Sequence, residues 1–399
     1  MSSEQRTTKR VSRRLARIPG SATLAINNRA RELEAQGRDI ISFAAGEPDF
    51  ATPDHIVEAA VTAARDPANH HYTQNAGLPP LREAAAEYTA QYSGVEVEPA
   101  QTLITNGGKQ AIFQALAALV DPGDEVLVPA PYWVTYPAAI ELAGGIPVPV
   151  PSAPGKGFKV TADDLDAASS DRTVALVFVS PSNPSGGVYD AGEARAIGEW
   201  ARDRGVWVLA DEIYQRLVYE GEVAPSIAAV TPGLENWVLI NGVAKSFAMT
   251  GWRVGWMVGP KDVVDAAARH QSHATSNVAN VSQRAALAAI TGPQEPVEEM
   301  RRAFARRREL MYTLVSAIEG LNCVKPDGAF YVFPDVSAVL GDRYPNAEAL
   351  ARGILDEAGV AVVPGDSFGS PGFLRFSYAL GEADIQRGVE RVARLIETL

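Results

Sequence analysis

VWVLADEIY (residues 206–214) reads as a short strand whose apolar run is unbroken until it meets an acid. A half-exposed strand alternates apolar and polar side chains. Val206, Trp207, Val208, Leu209 and Ala210 in succession instead predict a strand covered on both faces, as in parallel or mixed sheets packed between helices. DEVLVPA (124–130), VALVFVSP (174–181), WVLING (237–242) and WRVGWMVG (252–259) read alike. Helix-length segments separate them. KQAIFQALAALV (109–120) puts Ile112, Ala115, Leu116 and Leu119 on one face, and AGEARAIGEWARDRG (191–205) closes on Gly205 as a C-cap. The fold class expected is α/β, with a mostly parallel central sheet covered by helices. After residue 292 a basic helical stretch (298–320) precedes runs at GAFYVFP (328–334), VAVVPG (360–365) and FLRFSYA (373–379), which predicts a smaller α/β domain from the C-terminus and the N-terminal segment. The expected divisions are 1–50 for the arm and part of the small domain, 51–292 for the large domain and 293–399 for the rest of the small one.

The 399 residues are 46% hydrophobic, enough for a large core and about two or three domains. No apolar run approaches the roughly 20 residues that cross a bilayer, so no membrane partner is expected. The basic start, with Arg6, Lys9, Arg10, Arg13, Arg14 and Arg17, lacks the apolar core of a secretory signal and reads as a solvated arm; a cytoplasmic setting is the expectation. A formal net charge of −12 argues against nucleic acid. One cysteine, Cys323, excludes an internal disulfide and, with five histidines in no ligand spacing, no metal is expected.

Ligands of wound α/β sheets bind where strands reach their carboxyl ends. TLIT is followed there by NGGKQ, in which Gly107 and Gly108 open a helix whose free N–H groups suit a phosphate. VLVPA leads to PYWVTYP and Trp133; VALVFVS leads to PSNPSGG, where an Asn183–Pro184 bond held cis can aim the Asn side chain. VWVLA ends on Asp211, a carboxylate costly to bury without a cation, with Tyr214 three residues on. WVLI runs into NGVAKSFAMTGWRVG, whose Lys245 lies among small and apolar residues. Such a lysine is either a surface residue with its stem along apolar area or a desolvated amine able to act as a nucleophile. Singly, each feature is an ordinary turn, core aromatic or surface group. One phosphorylated aromatic cofactor accounts for all of them at one rim.

The chain resembles the class I aminotransferases, pyridoxal 5′-phosphate enzymes of the aspartate aminotransferase family. The likeness runs in order from SATLAINNRA (21–30) through AAGEPDF (44–50), YTQNAGLPPLREAAAEY (72–88), the strand-end motifs and GAFYVFP to VVPGDSFG and LRFSYAL. It is similar in detail to the bacterial subgroup carrying GGKQA and AKSFAMTGWR. The resemblance implies that Lys245 would form the Schiff base and shuttle the substrate proton, and that Asp211 would pair with the pyridine nitrogen. Asn183 and Tyr214 would donate to the phenolic oxygen, and Trp133 would stack on the ring. Gly107, Gly108, Lys109 and Arg253 would hold the phosphate together with Tyr72 of a neighbouring subunit, so a homodimer with shared sites is expected. Arg375 would clamp the substrate α-carboxylate, with Gly46 backbone, Asn183 and Trp133 beside it. Lys109, helped by Ser21 and Thr23, would meet a distal carboxylate.

Two positions depart from the family pattern. Gly242 stands where many relatives place a phosphate-binding serine, and QSHATSN (271–277) lacks the arginine that animal-type relatives use for a distal carboxylate. The leading expectation is a ping-pong transaminase working between aspartate or glutamate and a 2-oxo acid. The alternatives are β- or γ-elimination or cyclisation on the same cofactor, and a non-catalytic ligand sensor.

Overall fold

The computed structural model describes residues 11–18, 20, 22–221 and 223–399, with backbone alone at 13 and 22–24. Ser21 therefore lies outside the described residues, as does the side chain of Thr23. The strands, in chain order, are β1 (Ile41–Ser42), β2 (Thr102–Thr105), β3 (Glu125–Pro129), β4 (Ile146–Val150), β5 (Thr173–Val179), β6 (Trp207–Asp211), β7 (Trp237–Gly242), β8 (Gly255–Val258), β9 (Tyr331–Val332), β10 (Val360–Ala361), β11 (Val363–Pro364) and β12 (Leu374–Ser377).

Seven strands form the main sheet in the order β2-β8-β7-β6-β5-β3-β4. Neighbours from β7 through β6, β5 and β3 to β4 are parallel, whereas β8 runs antiparallel to both β7 and β2. Alternate side chains feed opposite cores, as the period of two requires. Leu209, Val238 and Met257 join Ile112, Leu116 and Val264 on one face, while Val208, Ala210 and Phe178 join Ile197 and Ala201 on the other. The unbroken apolar runs are thus explained by two layers of helices, among them Gly107–Leu119 and Ala191–Arg204. Gly205 caps the latter in the left-handed region, at φ 69°.

β4, IPVPV, does not read as a buried strand, because its two prolines remove ladder donors. They are tolerated because β4 is the edge strand, bonded only to β3.

The C-terminal third builds an antiparallel β11-β12-β9 sheet against the helices Glu295–Ser316 and Glu382–Ile396. Its core gathers Phe304, Met311, Phe330, Leu350, Phe376 and Val392. Ile41 and Phe43 join that cluster, because β1 pairs in parallel with β10. The N-terminal segment is therefore stitched to the end of the chain.

Topology gathers the functional ends. β2, β3, β5, β6 and β7 all end at one rim, and β8, being antiparallel, begins there. Arg253, just before β8, arrives at the same edge from the opposite direction.

Candidate active site

The helix Gly107–Leu119 opens at this rim, and the N–H groups of its first turn have no intrahelical acceptor. Gly107 sits at φ 78°, and a Cβ there would lie 2.6 Å from the Arg253 Nη2 atom. The backbone conformation thus favours glycine, and the absent side chain lets the guanidinium reach the helix start. Arg253 is itself in the left-handed region, at φ 58°, and donates to the carbonyls of Thr250 (2.9 Å) and Asn106 (3.3 Å). Gly242, the departure from the family pattern, has a local cause. A Cβ there would meet Gly255 Cα at 2.9 Å and the Val254 carbonyl at 3.0 Å, so close β7–β8 packing leaves no room for serine.

Asp211 is 5% exposed at the tip of β6. Its Oδ2 accepts from the Tyr136 hydroxyl at 2.8 Å and its Oδ1 from the Ile213 N–H at 3.1 Å. Burial pushes its carboxyl above the usual range, opposed by the Tyr136 and Ile213 hydrogen bonds and by the charge of Lys245. Among the described residues no cation forms an ion pair with it. Tyr136 was not anticipated from sequence. It lies in the helix Thr135–Ala143 that follows Trp133, and the two rings meet edge-on at 5.5 Å.

Lys245 follows β7. Its ammonium donates to the Gly46 carbonyl and lies 5.6 Å from the Tyr214 ring and 5.7 Å from the Phe330 ring. Burial brings its pKa down to about 8, with Arg375 and Arg253 adding to the fall and Glu47 and Asp211 opposing it. The amine is thus withdrawn from water rather than laid along the surface. Gly46 thus holds the lysine through its carbonyl. The Glu47 carboxylate accepts from Thr250 at 2.7 Å, tying the 46–50 turn to the loop that carries Lys245 and Arg253.

Arg375, on β12, is 2% exposed. It donates to Asn183 Oδ1 at 2.9 Å and to the Ala44 carbonyl at 3.0 Å, and its guanidinium lies 4.4 Å from the Tyr331 ring centre. The Asn183–Pro184 bond is cis. The Arg375 Nε is buried without a partner. Together, a buried guanidinium with no carboxylate partner and an unpaired Nε, a buried carboxylate lacking a cation and an open helix N-terminus fit an ionic substrate and a phosphorylated, protonatable ring.

Lys109 is exposed at the helix start, yet its Nζ turns back to within 4.9 Å of the Trp133 ring centre. Partial burial and the neighbouring Arg253 lower its pKa. The 271–277 stretch plays a structural part: Gln271 is fully buried and donates to the carbonyls of Asn75 and Ile104. Tyr72, alone among the expected residues whose side chains are described, is not drawn into this cluster; it is 90% exposed and so meets almost nothing of its own chain.

Residues 38–392 match the family described as aminotransferase class I and II. The chain is 52% identical over 396 residues to the aspartate aminotransferase of Streptomyces avermitilis, covering 98% of this chain and 97% of that one. Among solved structures it is similar to the aspartate aminotransferase from Rhizobium meliloti, with TM-score 0.93, 38% identity, and 98% and 99% of the two chains covered. It is also similar to the aspartate aminotransferase from Thermus thermophilus with maleate, with TM-score 0.92, 43% identity, and 97% and 100% covered.

Proposed function

The chain belongs to the class I and II aminotransferases, and on that premise we propose that aspartate and glutamate are its amino donors, with the matching 2-oxo acids as acceptors. It is a transaminase that uses pyridoxal 5′-phosphate and works in two half-reactions. The relatives do not favour elimination or cyclisation on the same cofactor. A cytoplasmic setting, where amino and oxo acids are exchanged, goes with this reading. So does the division of the chain into an arm and part of the small domain (1–50), a cofactor-binding domain (51–292) and a small domain (293–399).

The bound cofactor supplies an aldehyde that captures the substrate amine and a ring that withdraws electrons from Cα. In our assignment Asp211 faces the ring nitrogen, and its buried negative charge favours a protonated nitrogen. Tyr136 fixes the orientation of that carboxylate. Asn183 and Tyr214 donate to the phenolic oxygen, and Trp133 covers the ring. The helix start at Gly107 to Lys109, with Arg253, takes the phosphate. Arg375 orients the α-carboxylate bidentately, as a planar fork can and an ammonium cannot. Lys245 Nζ, neutral over much of the range above pH 8, takes the Cα proton and returns it to the neighbouring carbon.

The observation that carries the donor assignment is the Lys109 side chain, folded toward Trp133 where a distal carboxylate would lie. A charge-assisted hydrogen bond is worth about 1.5–3 kcal/mol. Lys109→Ala therefore lowers kcat/KM for aspartate and glutamate by roughly ten- to a hundredfold and leaves neutral amino acids almost unchanged. Equal losses for both classes in steady-state assays would assign Lys109 to the cofactor instead.

The assembly we propose is a two-fold dimer in which Tyr72 reaches the neighbour's phosphate site. Tyr72, 90% exposed and the only exposed large aromatic among the described residues, supports it. Sedimentation at assay concentration should give a dimer, and a fully active monomer there excludes the shared site.

A further inference from the structure

Tyr331 has no part in the assignments above, yet it touches several of them. It is fully buried on β9, beside Phe330, whose ring is 5.7 Å from the Lys245 ammonium. Its ring lies under the Arg375 guanidinium at 4.4 Å, and its hydroxyl is 3.0 Å from that of Tyr214. Its oxygen also lies 3.6 Å from where a Cβ on Gly46 would stand.

Two phenols in contact share one hydrogen bond, so one of their two protons is left for another acceptor. Arg375 has only donors. The Gly46 carbonyl accepts from Lys245 and makes no hydrogen bond with Tyr331. Among the described residues the Tyr331 hydroxyl has no hydrogen-bond partner other than Tyr214.

We propose that Tyr331 is a positioning residue that donates its proton to the Tyr214 oxygen, freeing the Tyr214 proton for the cofactor's phenolic oxygen. The inference rests on the reading that Tyr214 faces that oxygen. A hydroxyl that accepts a hydrogen bond becomes a stronger donor through mutual polarisation. Tyr331 also bridges two parts of the fold: β9 carries it beside β12 and Arg375, whereas Tyr214 follows β6 of the main sheet. The substrate clamp and the contact to the cofactor oxygen are thereby held in one register.

The test is Tyr331→Phe in the cofactor-loaded enzyme, which keeps the ring against Arg375 and removes only the hydroxyl. Its main readout is the pH midpoint of the bound cofactor's absorbance change. A weakened donor at the phenolic oxygen favours its protonated form, so the midpoint rises by roughly half a unit to one unit, as expected for loss of one neutral hydrogen bond. The same loss lowers kcat by about three- to tenfold. KM for aspartate stays within about twofold, because the carboxylate clamp is retained. Tyr214→Phe raises the midpoint at least as far, and adding Tyr331→Phe to it brings no further rise.

An unchanged midpoint in Tyr331→Phe, with a shift in Tyr214→Phe, overturns the relay alone. So does an additive double variant, or a raised KM at unchanged kcat, which would place the hydroxyl on the substrate. No shift in Tyr214→Phe removes the placement of Tyr214 itself, and the relay with it.

Discussion

Lys245→Arg should retain the cofactor and lose turnover by about 10⁴-fold or more, the scale set by removing a group that, as proposed above, serves both as covalent attachment point and as proton carrier. The arginine side chain keeps the positive charge beside Gly46, Tyr214 and Phe330 but cannot release its proton in the working range. The wild-type lysine can. With its pKa brought down to about 8, chiefly by burial, half of the amine is neutral there in the cofactor-free protein. For a base whose pKa is depressed, the neutral form is gained as pH rises through that lowered value. Capture of pyridoxal 5′-phosphate by the cofactor-free enzyme, followed by absorbance, should therefore accelerate with a midpoint near 8 rather than near the ordinary lysine value of about 10.4. Borohydride reduction and peptide mapping that placed the pyridoxyl group on another lysine would remove Lys245 from the role. A midpoint near the ordinary value would show that the apolar surroundings do not tune it.

Much of the main sheet and its rim was legible because parallel strands bring their carboxyl ends together. Asp211, Lys245 and Asn183 each follow an unbroken apolar run, and a doubly covered strand announces itself by such a run. Arg253 was harder to place physically, since only the antiparallel direction of β8 brings its N-terminal side to the same edge. β4 was missed because its prolines are permitted by an edge position that the local sequence does not reveal. Tyr136 and Tyr331 were missed for a different reason. Both lie in apolar surroundings where a tyrosine reads as core, and what distinguishes them is the partner of the hydroxyl, Asp211 in one case and Tyr214 in the other. Those partners are 75 and 117 residues away in sequence. The steric reason for Gly242 likewise appears only once Val254 and Gly255 are seen against it. Residue type and spacing therefore disclosed which groups reach the rim, while the hydrogen bonds that orient them required the packed structure.

Arg375→Lys should cost most among the substrate contacts, and the reason lies in how the protein holds the arginine before any substrate arrives. The guanidinium is 2% exposed, and the groups that act on it electrostatically are the phenols of Tyr331 and Tyr214 rather than a carboxylate. Burial lowers its pKa, so the folded protein carries a cation whose charge is incompletely balanced. Two of its five N–H groups are spent on Asn183 Oδ1 and the Ala44 carbonyl, while Nε is buried with no partner. Tyr331 and Phe368, with ring centres 4.4 and 5.1 Å from the guanidinium carbon, fix its plane. Three donors remain, Nε among them, enough for a carboxylate that accepts two parallel hydrogen bonds from one edge of the fork. A lysine ammonium can meet only part of that edge. It also releases Asn183, the residue assigned to steady the phenolic oxygen. Two charge-assisted hydrogen bonds at about 1.5–3 kcal/mol each correspond to a fall in kcat/KM for aspartate of roughly 10²- to 10⁴-fold. A second measurement separates binding from chemistry: maleate, a dicarboxylate that completes no reaction, should raise the Tm of the cofactor-loaded wild type and lose that effect in the variant. If Arg375→Lys kept both the rate within about threefold and the maleate-dependent stabilisation, the α-carboxylate would have to be recognised elsewhere, and the buried, unpaired guanidinium would be left without a function to justify its cost.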